Sequence, residues 1–286
     1  MKDTIVSILK IVAPLSVALI VFAQALKIPM SQVTDYFKER LAVMLRGLIA
    51  VLVVVPILAL AIIMILKPSP EVAVGLAILV ICPPAPLMLK ATPNIGKGDA
   101  AFMASLHLSL ALLAFITVPL GLYLISKPLG FGADVNMGAM GWTLARTIFI
   151  PVILGLLVRA LFPKFADAAT SKLDLAGTIG LLVVVLFALV AFYPAVLAMD
   201  GSSYLVIAAV SVTALVTGHL LGPSEPEQKT TLAIESGVRH PVLALSIAAA
   251  NFTPEKAMPV MVPAILVLIG LAMVYLIIRK KAIAAA

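Results

Sequence analysis

Apolar runs fill this chain from end to end, and the polar stretches between them are short. With roughly 20 apolar residues per membrane crossing as the yardstick, the pattern predicts nine spans, at about 5–26, 42–66, 71–92, 98–126, 138–162, 175–197, 203–222, 229–251 and 257–278. No polar-apolar alternation of strand length is present, which argues against a membrane barrel. The expected fold is therefore an all-α integral membrane protein. Two spans are broken by proline. Glu71–Thr92, EVAVGLAILVICPPAPLMLKAT, meets Pro83, Pro84 and Pro86 and then Lys90. Thr231–Phe252, TLAIESGVRHPVLALSIAAANF, carries Glu235, Arg239, His240 and Pro241 in its middle.

A bilayer disfavours buried ionisable groups and unpaired backbone, so both stretches read as parts of a binding site. Two discontinuous helices, one in each half of the chain, point to a secondary transporter in which they cross. Spans two to four and seven to nine each have a broken middle helix. The odd offset between these triplets makes them inverted repeats. Phe162–Asp174 is the longest charged connector and is expected to join the two halves.

Composition agrees with a membrane setting. The chain is 63% hydrophobic and 12% charged, with a mean hydropathy of +1.21, too little polar surface for a soluble core. Its net charge of +7 does not indicate a nucleic acid, because the basic residues sit in short loops without an aromatic-basic patch. One alternate set of loops holds Lys27, Lys38, Arg40, Arg46, Lys97, Arg159, Lys164, Lys172, Lys229, Arg279, Lys280 and Lys281. The other set holds only Lys2, Lys67, Lys127 and Lys256. The positive-inside rule then places the N-terminus outside and the C-terminus in the cytoplasm. The single Cys82 excludes an internal disulfide and a cysteine metal cluster. The first apolar run lacks a small-residue cleavage site, so no cleavable signal is expected. HExxH, GxxxxGK[ST] and GxSxG are missing, so neither enzymatic activity nor a cofactor is expected.

Glu235 is the leading candidate for chemistry, as a proton or ion ligand. The alternative is an i,i+4 ion pair with Arg239. Arg239 and His240 directly precede Pro241, where the helix is expected to open. Amides freed at the start of the second half-helix, with the charge of Arg239, would favour an anion; the alternative has Arg239 reaching the surface. Cys82–Pro86 frees carbonyls that must face a cavity, a cation or protein, unless the prolines make only a packing kink. Lys90 is either a fixed cation for substrate or a lysine at the cytoplasmic face. His107 lies about 12 Å into the fourth span at 1.5 Å per residue, deep enough for a proton relay or for a core histidine. Arg146 and His219 sit nearer span ends and read as interfacial.

At these residues the sequence resembles the bile acid:sodium symporter family. The family's first broken helix reads close to CPGGTASN, and here it is Cys82-Pro-Pro-Ala-Pro-Leu-Met-Leu89. The second reads near ExGxQNxxLA, and here it is Glu235-Ser-Gly-Val-Arg-His-Pro-Val-Leu-Ala244. Ala73–Cys82 and Pro56 also fit the family's pattern, and the resemblance runs from about Leu15 to Ile278. It implies a nine-span, bacterial-type member in the inner (plasma) membrane, lacking one N-terminal span of ten-helix members. It further implies alternating access, with a panel domain (about 5–26 and 138–197) moving against a core domain (about 42–126 and 203–278) that holds the crossing helices. The cargo implied is a small organic anion.

The family's sodium ligands are largely replaced. Met88 and Leu89 stand for a serine-asparagine pair, Val51 for a glutamine, and Met103 and His107 for a serine and a threonine. Arg239 and His240 stand for a glutamine and an asparagine, so only Glu235 is kept. Methionine and leucine offer no oxygen to a hard cation. The expectation is an organic-anion carrier uncoupled from sodium, in which Arg239, aided by Lys90, neutralises Glu235. Uniport, exchange, or proton coupling through Glu235 and His107 or His240 would each serve. Alternatives are a sodium-coupled symporter, a non-transporting receptor and a channel. Sterol conjugates, small carboxylates and sulfonates all remain open as cargo.

Overall fold

The computed structural model describes residues 2–130, 136–251 and 254–285. The described residues form α-helices and contain no named strand: α1 (Lys2–Lys27), α2 (Met30–Glu39), α3 (Leu41–Ile49), α4 (Val55–Leu66), α5 (Pro70–Ile81), α6 (Met88–Gly96), α7 (Ala100–Leu129), α8 (Met137–Leu144), α9 (Ile150–Leu161), α10 (Pro163–Leu197), α11 (Gly201–Leu221), α12 (Pro226–Gly237), α13 (Pro241–Asn251) and α14 (Pro254–Ala284). Among them, seven continuous stretches are long and apolar enough to cross a membrane, counting α3 with α4 and α8 with α9 as single helices. The short pairs α5–α6 and α12–α13 are the two proline-broken segments. Apolar side chains stand exposed around the helices, among them Ile65, Ile116, Trp142, Leu197 and Leu220. In an integral membrane protein that belt faces lipid.

Short π turns, Ala50–Val54 and Ala145–Phe149, join α3 to α4 and α8 to α9. Each precedes a proline, Pro56 or Pro151, at the start of the following helix. Proline lacks the N–H that the ladder needs, and the extra residue of the π turn absorbs the mismatch. Some helix starts carry a side-chain cap. Asp99 accepts from the amides of Ala101 and Phe102 at 2.9 Å, and Asn136 from that of Ala139 at 2.9 Å.

Two expected loops are helical. Between the first two spans, α2 turns Val33 inward and leaves Asp35, Lys38 and Glu39 outside, as a short interfacial helix does. The expected connector Phe162–Asp174 belongs mostly to α10, which starts at Pro163 and runs unbroken to Leu197. Pro163 suits the first helical position, the Arg159–Asp167 ion pair secures the junction, and the buried Asp174 holds the first turns against α1.

α1 lies against α9 and α10. The approach is close at Gly155, where an added Cβ would stand 2.5 Å from Ala25 Cβ and 2.8 Å from the Phe22 carbonyl. A second set of contacts joins α4, α11 and α12, and brings α14 against α5 and α6. α12 also packs on α7. The two broken segments meet within this second set.

Candidate functional site

Pro83, Pro84 and Pro86 have no amide hydrogens to continue α5, so Cys82 leaves the helix extended at φ −66° and ψ 150°. Pro241 opens α13 and stops α12 at Gly237. The two unwound stretches lie antiparallel. Ala85 donates its amide to Val238 O at 2.9 Å, and His240 donates its amide to Pro83 O at 2.9 Å. This bridge between Pro84 and Arg239 satisfies buried backbone groups that the prolines release. The breaks are therefore placed against each other, as discontinuous helices that cross require.

Arg239 is only 3% exposed. Its Nη2 donates to Val51 O at 2.8 Å and its Nη1 to Cys82 O at 3.3 Å. Both acceptors are free for a local reason. Cys82 ends its helix. In the π turn the Val55 amide goes to Ala50 O, and the next residue able to reach Val51 O is Pro56, which has no N–H. A guanidinium that forks to both oxygens answers two buried orphans at once.

Glu235 is fully buried, with Oε1 3.0 Å from His107 Nδ1. Its Oε2 has no hydrogen-bond partner among the described residues. The alternative ion pair of Glu235 with Arg239 is not formed. An i,i+4 pair needs a helix through both residues, and α12 ends at Gly237. His107 on α7 is the partner instead. His240 Nδ1 accepts from the Leu243 amide at 3.3 Å and so caps α13. That bond leaves Nε2 to carry the ring proton, and Nε2 has no partner among the described residues.

Lys90 is exposed and forms no ion pair with the buried Glu235. It is ion-paired with Asp174 of α10, whose carboxylate also takes Lys27 Nζ at 3.2 Å. The Pro86 carbonyl accepts from Gln24 Nε2 at 2.7 Å, a buried bond that ties α1 to the first break. Met88, Met103 and Val51 are buried apolar side chains. His219, read as interfacial, is partly buried with its Nδ1 2.8 Å from the Tyr275 hydroxyl. The Cys82 carbonyl lies in the stretch expected to free such groups, whereas Gln24, Asp174 and the Val51 carbonyl were not among the candidates.

Two cavities flank this ground. A narrow one of about 50 Å³ lies beside the crossing, lined by Ile20, Pro86, Leu181, Val185, His240 and Leu268 among others. A wider one of about 330 Å³ is bounded by Gln24, Lys27, Gln32, Leu89, Lys90 and Asn94 among others.

Comparison with known proteins gives two informative relatives. A Bacillus subtilis protein named "Uncharacterized sodium-dependent transporter YocS" is 29% identical over 221 residues, covering 74% of this chain and 66% of its own length. A rice protein named "Probable sodium/metabolite cotransporter BASS2, chloroplastic" is 26% identical over 228 residues, covering 78% of this chain and 54% of its own. The chain thus spans just under two thirds of the first relative and about half of the second. A family profile matches residues 14–197, which contain the first break and the Lys27–Lys90–Asp174 cluster. On that match the chain belongs to the sodium bile acid symporter family.

Proposed function

We propose that the protein is a secondary transporter of an organic anion that works without sodium. The observation that carries this reading is the seat of Arg239. A fixed guanidinium takes the free carbonyls of Val51 and Cys82 at the crossing, where a captured cation would otherwise be expected. The side chains fit sodium poorly. Met88, Leu89, Val51 and Met103 supply no oxygen, and one oxygen of Glu235 is engaged by His107. Positive charge is built in at the crossing, so an anion is attracted with no metal ion bound first.

On this reading the two broken pairs add two crossings to the seven long helices, giving nine. The panel domain comprises α1, α8, α9 and α10, and the remaining helices form the core. The close packing of α1 on α9 and α10 supports that division. The excess of basic residues in alternate loops supports a cytoplasmic C-terminus. Rocking of panel against core would expose the crossing to each side in turn.

Uptake of a candidate organic anion into proteoliposomes tests the proposal. Replacing sodium with potassium or choline is expected to leave the initial rate unchanged. Stimulation by sodium of about tenfold or more, equivalent to 1.4 kcal/mol of coupling, would overturn sodium independence and leave the fold untouched. That second reading, a sodium-coupled symporter, is favoured by the names of both relatives and by the unpartnered Oε2 of Glu235. Anion binding without flux would instead make the protein a receptor.

A further inference from the structure

We infer that the cavity between α1, α2, α6 and α7 docks the acid group of a small organic anion, with Lys27 and Lys90 as its cations and Asp174 as an internal stand-in for the ligand's carboxylate. The inference rests on the transporter reading only for the role of the anion as cargo. Two ammonium groups converge on one carboxylate that is 2% exposed, so the cluster carries one positive charge in excess. Among the described residues that line the cavity there is no acidic side chain, whereas Gln24, Gln32 and Asn94 offer amides beside the lysines. A volume of about 330 Å³ lies at the small end of ligand sites and suits a keto, hydroxy or sulfonic acid better than a sterol conjugate.

The geometry also shows how docking would act on the protein. Lys27 and Asp174 belong to the mutually packed helices α1 and α10, while Lys90 comes from α6 below the first break. An incoming acid group that takes Lys90 leaves Asp174 paired with Lys27, so no buried charge is stranded. It also dissolves the ion pair that ties α6 to α10, the tie that must part if panel and core are to move. Gln24 lines the same cavity and bonds to Pro86 O, which connects the docked ligand to the crossing.

Labelling with pyridoxal 5′-phosphate followed by borohydride tests the site without knowledge of the cargo. The lysine amine and the aldehyde condense to an imine with loss of water, and hydride reduces the imine to a stable secondary amine that peptide mass spectrometry locates. Lys27 and Lys90 are expected to label about tenfold faster than Lys164, Lys280 and Lys281, the factor given by roughly 1.4 kcal/mol of docking energy. Pyridoxal, the same aldehyde without the acid group, is expected to show no such preference. Lys90→Gln should slow labelling of Lys27 severalfold, and Asp174→Asn should speed labelling of both lysines by removing the internal competitor. Uniform labelling, an equal preference with pyridoxal, or slower labelling in Asp174→Asn would overturn the inference. Should Asp174→Asn not fold, Lys90→Gln and the pyridoxal control decide alone. Selective labelling in a protein that carries no anion flux would defeat the transporter reading and leave the site standing. Flux with uniform labelling would do the reverse.

Discussion

Arg239→Gln is expected to abolish anion uptake and to lower the thermal stability of the purified protein, while Arg239→Lys keeps part of both. Glutamine is too short to repeat the fork, so the carbonyls of Val51 and Cys82 lose their donors. Each buried acceptor left unmatched costs about 1–3 kcal/mol. The melting temperature in detergent should therefore fall by several degrees. Uptake should fall by at least about a hundredfold, since roughly 2.8 kcal/mol of lost anion stabilisation already gives that factor. Lysine keeps the positive charge but presents one ammonium in place of a planar fork, so it can satisfy one carbonyl well and the other poorly. A glutamine variant that transports and melts like the parent would remove Arg239 from the site and, with it, the case for a built-in cation.

The same residue shows what could and could not be read from the sequence. Proline acts locally, through a missing N–H and a restricted predecessor, so the breaks at Pro83–Pro86 and Pro241 were legible from composition and spacing. The i,i+4 helical form of a Glu235–Arg239 ion pair and a helix broken before Pro241 compete, because the first needs the turn that the second removes. The chain adopts the break. The acceptor on Val51 is different in kind. Its carbonyl is released by a π turn ahead of Pro56, a local event, but the guanidinium that takes it lies 188 residues away in sequence. No pattern in one sequence encodes that meeting. Asp174 was hidden for another reason. Phe162–Asp174 is charged enough to look like a connector, and only the packing of α10 on α1 turns Asp174 inward to Lys27 and Lys90. α2, with ten residues, is too short to register as a span.

Gly218→Ala is expected to disrupt the protein severely, and Gly270→Ala to be harmless, although both residues sit inside helices of the second packing set. Around Gly218 an added Cβ would stand 2.5 Å from Leu232 O, 2.6 Å from Ser236 Oγ and 2.7 Å from Ala233 Cα. Two of these neighbours are backbone of α12, which cannot swing aside as a flexible side chain would. The missing side chain lets α11 and α12 approach closely, as small residues do between membrane helices. Forcing them apart costs about 1–3 kcal/mol or more from overpacking. It also displaces Glu235, which sits on α12 and reaches His107 on α7 across only 3.0 Å. Uptake should thus fall together with the melting temperature. At Gly270 an added Cβ meets nothing within 4 Å among the described residues. There alanine removes backbone freedom from the unfolded chain and favours the helix by roughly 0.5–1 kcal/mol, so Gly270→Ala should melt at the parent temperature or slightly above. If the two variants behaved alike, the close seating of α12 against α11 would not be what holds Glu235 at the crossing.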